Sequence, residues 1–418
     1  MLARARAAPE ETIPDSIRRG STIGRRSVRI SLHLACSHDR SLTMARVFDN
    51  DDGWILGAHE GAGPLTPEMI WEQSIGPRQV TPITDFLWSV AGNEVYTYDT
   101  RVAETFGEGY DPSVLDPPDA RKLENLRYLQ EQHGGALAVY ISLAHRAGLR
   151  FMASYRMNQH YGAVEDGHPC GFSSMRRERP DLAIGRPDEP LSPDNIEWGL
   201  RTGLNFACEE VRRHHIAICT EMVDRWDVDG IELDFMRHPA FFRIEEAVAC
   251  GHLLTDMVAA IKAAVDAASA RSGREIELVV RVPPTVFACH RIGIEISRWI
   301  AKGLVDVVVA GEGWIAHTSP IAEFVELARQ RGVMTAGTDH MQPRNEHGPL
   351  VLAPFEALNQ TLHQDELRAI AARYWAEGVD GLYLFNYYSM SREWRTTTLL
   401  EMRRSGAEPT TRGQTRPS

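Results

Sequence analysis

The sequence predicts a single (β/α)8 barrel, and three observations point to that fold. Short apolar runs alternate with helical patterns through most of the chain, which is typical of βα units around a parallel sheet. Polar or aromatic residues follow most of the eight runs that we count as strands. The third observation is an internal repeat, because Val228-Asp229-Gly230 and Val379-Asp380-Gly381 each separate a helix from a strand. Those two strands are the fourth and the eighth, half a barrel apart.

Each element is predicted from its own pattern of apolar residues. The strands are expected, in order, at Ala45–Asp49, Thr84–Val90, Arg150–Tyr155, Gly230–Phe235, Glu277–Val282, Val305–Ala310, Val333–Ala336 and Gly381–Phe385. Helices with apolar residues at three- and four-residue steps are expected at Glu209–Arg225, Glu246–Arg271, Glu295–Lys302, Ile321–Arg331 and Glu366–Glu377. The last three are each followed by a glycine that can end a helix, at Gly303, Gly332 and Gly378. A long connection, residues 159–194, follows the third strand, and such loops usually line a site or a lid.

The composition is that of an ordinary globular protein, because 43% of the 418 residues are hydrophobic and 24% are charged. One α/β barrel can exceed ~250 residues, so the length does not require a second domain. The net charge of −12 argues against a nucleic-acid partner, since phosphate backbones are bound by basic surfaces. The six cysteines form no CxxC pair, so we expect neither a zinc cluster nor a disulfide framework. No apolar run approaches the ~20 residues of a membrane span, so no membrane partner is expected, and the oligomeric state is left open.

The two ends of the chain differ from the rest in composition. Residues 1–43 are rich in Arg, Ala and Ser, and we expect a disordered extension there. A true start at Met44 is one explanation of this extension, and a targeting segment is the other. The barrel is expected over residues 44–402, followed by a disordered polar tail at 403–418. A cytoplasmic location is slightly favoured, because the first residues form a poor signal peptide.

The strongest functional signal lies in and after the fourth strand, at Asp229–Pro239. Side chains of a strand alternate between its two faces, so Glu232 and Asp234 are expected to point into the barrel. Asp234 is nearer the carboxyl end of the strand, where the active sites of such barrels lie. Two carboxylates inside a barrel are costly unless they are paired or hydrated. The alternative to a catalytic role is a buried ion pair with Arg281 or Arg156.

The segment Val228–Pro239 also resembles the Asp-Gly-Ile-x-Leu-Asp-Tyr/Phe-x-Arg-x-Pro signature of bacterial family-10-like glycoside-hydrolase barrels. Four other segments fit the same resemblance: Phe48–Gly53, Tyr155–Asn158, Val280–Pro283 and Asp380–Asn386. The resemblance covers about residues 45–394, and it implies a (β/α)8 fold and a carbohydrate substrate. More distantly, the chain resembles barrels whose fourth-strand aspartate is the nucleophile. This resemblance implies that role for Asp234 only.

Glycosidases need two carboxyl groups across the scissile bond, so Asp234 requires a partner. Glu312 is the first candidate, because it follows the sixth strand between two glycines and lies close to Trp314. Asp339, beside His340 after the seventh predicted strand, is the second candidate, and Glu232 is the third. A separation of ~5–5.5 Å between the two carboxyl groups would retain the anomeric configuration, and ~6.5–9.5 Å would invert it.

The remaining polar residues at the predicted strand ends are interpreted as substrate contacts. They can hold hydroxyls, or an acidic sugar such as a uronate, since guanidinium groups bind carboxylates and sulfates in two-point contacts. The alternative is that the arginines only neutralise Asp234 and Glu232. The candidates are Glu232, Arg237, His238, Arg156, Asn158, Arg281, Asp51, Trp314, Asp339, His340, Asn386 and Tyr388, with Tyr98 and Tyr387 as further possible stacking platforms.

Asp49, Asp51 and Asp52 match only part of a calcium-loop pattern, so no metal is expected. The sequence holds no GxGxxG, P-loop or GxSxG motif, so no cofactor is expected either. Three hypotheses follow: a glycoside hydrolase acting through Asp234 and a second acid, a non-catalytic carbohydrate-binding barrel, and a metal-dependent sugar isomerase or lyase. The last would need metal ligands at Asp51 and Asp339.

Overall fold

A computed structural model of the protein describes residues 45–160, 169–186, 199–311, 319–335, 348–356 and 364–386. Eight parallel strands close into a barrel, and each strand pairs with its neighbours in chain order. The predicted (β/α)8 fold is therefore confirmed. The barrel strands are β1 Arg46–Asp51, β2 Asp85–Ser89, β3 Arg150–Arg156, β4 Gly230–Asp234, β5 Glu277–Val282, β6 Val307–Ala310, β7 Leu350–Glu356 and β8 Gly381–Phe385.

Helices surround the barrel, and their bounds agree well with the periodicity of the sequence. Glycines with positive φ directly follow four of them, at Gly134, Gly273, Gly303 and Gly378, as a helix C-terminus favours. The helices are α1 Ile55–Ala58, α2 Pro67–Ile70, α3 Pro117–His133, α4 Ala136–Arg146, α5 Ser174–Glu178, α6 Glu209–Arg225, α7 Ala247–Ser272, α8 Val286–Arg291, α9 Ile296–Lys302, α10 Ala322–Thr335 and α11 Gln364–Glu377.

The prediction of the seventh strand at Val333–Ala336 is wrong. Helix α10 continues through Gly332 to Thr335, and β7 instead occupies Leu350–Glu356. A short apolar run has no periodicity that separates helix from strand, so local sequence could not decide between the two segments. Pairing decides it, because β7 bonds to β6 on one side and to β8 on the other.

The interior of the barrel has two distinct layers below its carboxyl end. The middle layer is apolar and includes Phe48, Leu87, Met152 and Leu352. The amino end is closed by charged residues that begin four strands, and these form a ring of ion pairs. Arg46 and Arg150 both contact Asp85 and Glu277, with Nη1–Oε distances to Glu277 of 2.9 Å and 2.7 Å. The ring is balanced in charge, because two arginines face two carboxylates.

Helix α7 is long and apolar enough to cross a membrane by length and composition alone. In the barrel it follows β4, packs against α6, and buries Leu254, Val258 and Ile261. Its Lys262 ammonium lies 2.7 Å from the Asp306 carboxylate just before β6. The face of α7 that carries these residues therefore packs in the helix layer of the barrel.

The loops after β2 and β3 pack together above the barrel. A small sheet follows β2, in which Ala91–Gly92, Val95–Tyr96 and Glu104–Thr105 pair. The turn of this sheet bonds to the loop that follows β3, because the Gln159 amide oxygen accepts a bond from the Asn93 backbone nitrogen at 3.2 Å. These contacts fix the wall of the barrel mouth on the β2–β3 side.

Candidate active site

Asp234 ends β4 and is 1% exposed. One carboxylate oxygen, Oδ1, accepts a hydrogen bond from the Met236 backbone nitrogen at 2.8 Å. The other oxygen, Oδ2, lies 3.6 Å from Nη1 of Arg281, which is longer than a hydrogen bond. Among the described residues, Oδ2 has no hydrogen-bond partner. Arg281 therefore balances the charge of Asp234 without occupying this oxygen, so Oδ2 can still accept a bond from a ligand.

Glu232 lies one layer deeper in the same strand and is completely buried. Its Oε2 accepts hydrogen bonds from the Ser154 hydroxyl at 2.6 Å and from the Asn50 amide at 2.7 Å. The Asn50 amide nitrogen also lies 2.7 Å from the Tyr383 hydroxyl oxygen. Within the described part of the chain, the other oxygen, Oε1, has no hydrogen-bond partner. Strands β1, β3 and β8 thus supply the three polar groups around this carboxyl.

Burial raises the pKa of Glu232 to about 7, and the neighbouring Asp234 charge acts in the same direction. The hydrogen bonds of Ser154 and Tyr383 and the charge of Arg281 act the other way, because they stabilise the ionised form. Burial dominates, since a carboxylate without water loses most of its solvation. The two carboxyl groups of β4 therefore have different environments. Glu232 takes up a proton more readily than an ordinary glutamate.

At the rim, Arg156 ends β3 in register with Asp234 and forms an ion pair with Asp52. Asp52 is also bound by Asn386, whose amide donates to Oδ2 at 2.8 Å and whose Oδ1 accepts from the Asp52 backbone nitrogen at 3.1 Å. Asn386 has a φ of 54°, a left-handed conformation that asparagine tolerates better than most residues. The ends of β1, β3 and β8 are thereby linked around the mouth.

The segment after β4 brings His238 beside His160. The His160 backbone nitrogen donates to His238 Nδ1 at 2.9 Å, and the two rings are 5.4 Å apart. Burial, followed by Arg237 and Arg156, lowers the pKa of His238 to about 4. His238 is therefore neutral at pH 7, and because Nδ1 accepts a bond its hydrogen is on Nε2. Arg237 is half-buried on the same segment.

Two of the predicted substrate contacts are engaged elsewhere. Asp51 is on the outer face of β1, where its Oδ2 lies 2.9 Å from Nη2 of the buried Arg78. Asn158 is buried, and its side chain bonds to the backbone of Leu204 and Ala240. These contacts tie loops to the barrel. Neither side chain points to Asp234 as the structure describes them, so we leave both out of the proposed site.

Tyr98, considered as a stacking platform, is buried against Trp226 and lies within hydrogen-bond distance of Glu221. Other predicted site residues lie outside the described residues: Glu312, Trp314, Asp339, His340, Tyr387 and Tyr388. Asp339 and His340 were chosen because they followed the seventh predicted strand. With β7 at Leu350–Glu356, they precede that strand in the sequence, and the reason for choosing them no longer applies.

The sequence reasoning missed three residues of this site, which are Asn50, Ser154 and Tyr383. They could have been found by strand alternation, since all three share the inward phase of their strands. Asp52 was considered only together with Asp49 and Asp51, as part of a calcium-loop pattern. Asp52 follows β1 and is brought to the rim by Asn386. No local pattern marks it as different from Asp49 or Asp51.

In the described ranges, no three histidine, cysteine, aspartate or glutamate side chains converge as metal ligands would. The metal-dependent hypothesis also loses Asp51, which is bound to Arg78. What remains at the carboxyl end is a buried pair of carboxyl groups, one arginine and a polar rim. Such a group can bind hydroxyls and hold or transfer a proton.

No family model matches the chain, and no curated protein matches it either. Several solved structures are similar in outline. The PgaB (BpsB) glycoside hydrolase domain of Bordetella bronchiseptica is 10% identical, with 86% of this chain and 98% of that chain covered and a TM-score of 0.47. Alpha-L-fucosidase isoenzyme 2 of Paenibacillus thiaminolyticus is 13% identical over 87% of this chain and 49% of that one, at 0.49.

The galactosidase domain of an alpha-galactosidase–sucrose kinase is 14% identical and has a TM-score of 0.43. The similarity covers 87% of this chain and 40% of that chain, so the protein described here spans less than half of that relative. At these identities and TM-scores, the similarities say nothing about the activity of this chain. Its fold rests on the closed ring of strands itself.

Proposed function

We propose that this protein is a glycoside hydrolase that acts through Asp234 and a second carboxyl group. The observation that carries the proposal is the state of Asp234, a buried carboxylate at the carboxyl end of β4 with one oxygen that no described residue binds. The β4 segment also carries the glycoside-hydrolase-like signature. The surrounding rim is polar, which suits a substrate rich in hydroxyl groups.

The second carboxyl group is proposed to be Glu312, with Glu356 as the alternative. Glu312 follows Gly311 in the sequence, and Gly311 comes directly after β6. Glu356 ends β7, at the carboxyl edge of the parallel strands, where Asp234 ends β4. Gly311 packs against Pro354 of β7 so closely that the neighbouring strand requires a glycine there.

The contact between Asp234 and Arg281 favours one alternative, a barrel that binds carbohydrate without cleaving it. A carboxylate held by an arginine is a weaker nucleophile than one left without a cation. The 3.6 Å separation between Arg281 Nη1 and Asp234 Oδ2 is compatible with both hydrolysis and binding alone. At this distance the two charges attract each other, but the groups are not hydrogen-bonded.

The test is a panel of oligosaccharides, polysaccharides and aryl glycosides assayed with the wild type and with Asp234→Asn. We expect hydrolysis of at least one glycan, reduced by at least about 10²–10⁴-fold in Asp234→Asn, since the amide can neither attack nor exchange a proton. Asp224→Asn is the matched control, because Asp224 is in an exposed ion pair with Arg271 at the end of α6, before β4 begins.

The same assay with Glu312→Gln and Glu356→Gln identifies the second acid. Equal cleavage by wild type and Asp234→Asn would refute the role of Asp234. A wild type that binds a glycan, cleaves none, and keeps its affinity in Asp234→Asn would establish the carbohydrate-binding alternative.

A further inference from the structure

The turn of the small sheet after β2 has a backbone shape that glutamate rarely adopts. Gly92 and Val95 pair across this turn, so Asn93 and Glu94 are its two central residues. Both have positive φ, 49° and 57°, as in a type I′ turn, for which asparagine followed by glycine is the favoured pair. Asparagine tolerates this left-handed conformation, whereas a glutamate persists in it only where contacts from elsewhere in the fold hold it.

The contact that holds Glu94 is a buried ion pair with Arg176 of α5, in the loop after β3. The pair is a two-point contact, in which Nε of the arginine pairs with Oε2 and Nη2 lies 3.2 Å from Oε1. Both side chains are 2% exposed. A buried ion pair is weak evidence of stability, because the desolvation of the two charges offsets most of their attraction. The chain therefore keeps a strained turn and a costly charge pair in one place, which fits a positioning role better than a stabilising one.

The Arg176 guanidinium also organises the residues that follow β3. Its Nη1 donates to the Thr202 carbonyl at 2.6 Å, and its Nη2 donates to the Asn158 amide oxygen at 3.2 Å. The Asn158 amide nitrogen in turn donates to the carbonyls of Leu204 and Ala240, at 2.9 Å and 2.8 Å. Because Ala240 belongs to the segment after β4, these contacts join the loops that follow β2, β3 and β4.

His238, two residues before Ala240, is fixed by the same joined loops. The backbone nitrogen of His160, two residues after Asn158, donates to His238 Nδ1 at 2.9 Å. A neutral imidazole whose Nδ1 accepts a bond carries its hydrogen on Nε2. His238 is thus held in one tautomer, with an N–H donor on the segment that follows Asp234. A donor of fixed direction can bind a hydroxyl oxygen of a carbohydrate.

We propose that Glu94 and Arg176 are positioning residues, which hold His238 as a neutral Nε2–H donor to the substrate. The effect on substrate rests on the proposed function, whereas the state of His238 is a property of the fold without ligand. Burial lowers the pKa of His238 most, and three arginines act in the same direction. The charged and titratable groups that face His238 are Arg237 on its own segment, Asp234 at the end of β4, Arg156 at the end of β3, His160 in the loop after β3, and Arg176 on α5.

The deciding variant combines Glu94→Gly with Arg176→Met in the full chain. It gives the turn its favoured asparagine–glycine pair and replaces the buried ion pair by one apolar side chain. We expect this double variant to unfold at the urea midpoint of the wild type or above it. Each single substitution leaves one buried charge without its partner, so both single variants should unfold at lower urea concentrations than the wild type.

The state of His238 is measured by nuclear magnetic resonance of protein labelled with ¹⁵N-histidine, and its signals are assigned by their absence from His238→Asn. The wild type should show a single Nε2–H tautomer that does not titrate between about pH 5.5 and about pH 8. The double variant should show both tautomers and a pKa raised toward the ordinary value of 6.5, because the Nδ1 bond and a neighbouring cation are lost. Arg271→Met, which breaks an exposed ion pair with Asp224, is the matched control and should leave His238 unchanged.

A double variant as stable as the wild type that has lost the single tautomer of His238 would support the proposal. A double variant no more stable than the single variants would overturn it, because the pair would then serve the stability of the fold. An unchanged His238 would overturn it as well, since the pair would not position that residue.

Activity separates this proposal from the proposed function. On any glycan that the wild type cleaves, the double variant should raise KM by about tenfold, the loss expected for one hydrogen bond to substrate. An unchanged KM would overturn the role of His238 as a donor to substrate. If the wild type cleaves no glycan while His238 responds as expected, the proposed function fails and the positioning of His238 stands.

Discussion

The pH dependence of stability gives the sharpest quantitative prediction from this site. The perturbation is Glu232→Gln, which replaces the carboxyl by an amide of the same shape. In the folded protein the pKa of Glu232 is about 7, and its ordinary value is 4.5. Between these two values the folded chain binds more protons than the unfolded chain, so rising pH favours unfolding. The contribution is complete below about pH 4.5, is lost progressively as the pH rises to about 7, and then stays constant.

The magnitude follows from the difference in pKa, which is about 2.5. Each pKa unit corresponds to about 1.4 kcal/mol, so the wild type should lose about 3–4 kcal/mol of unfolding free energy relative to Glu232→Gln across this interval. Other groups with shifted pKa values, such as Asp306 and His215, are present in both proteins, so their effects cancel in the difference.

The assay is urea unfolding of both proteins, followed by tryptophan fluorescence, at closely spaced pH values from about 4.5 to about 8. The quantity of interest is the difference between the two unfolding free energies at each pH. A difference that stays constant over the whole interval would refute the reasoning, because it would mean that Glu232 titrates alike in the folded and unfolded chains. A difference that grows in favour of the wild type with rising pH would show that Glu232 is ionised and stabilised by Arg281.

Two predictions concern the framework that holds the site. Arg78→Met should lower the unfolding free energy by about 3–5 kcal/mol in urea titrations, because Asp51 on β1 would keep a buried charge without its cation. A loss below about 1 kcal/mol would show that this ion pair does not stabilise the fold. Gly311→Ala should cost about 1–3 kcal/mol or more, since its new Cβ would be 2.0 Å from Pro354 Cγ. Gly171→Ala, with no atom within 4 Å of the new Cβ, is the matched control, and equal midpoints for the two alanine variants would contradict the packing argument.

The sequence was sufficient to predict a structural feature where a single local rule determines that feature. Helix α6 was predicted at its observed bounds, Glu209–Arg225, from the spacing of its apolar residues. The inward direction of Glu232 and Asp234 followed from strand alternation, which has only two phases. The seventh strand was missed, because Val333–Ala336 and Leu350–Glu356 are both apolar and only pairing with β6 and β8 separates them.

The sequence by itself therefore determined the barrel and the face on which each β4 side chain lies. Tertiary structure decided the rest, since the charge state of a carboxyl depends on neighbours from other strands. Asn50 and Ser154, 182 and 78 residues away from Glu232, bind one of its oxygens, and Arg281 of the next strand lies 3.6 Å from Asp234. Asp51 and Asp52 are adjacent in the chain, yet one is bound by Arg78 behind β1 and the other by Arg156 at the mouth. Because side chains alternate along a strand, neighbouring residues point to opposite faces. Only the folded barrel brings a different arginine to each of these two aspartates.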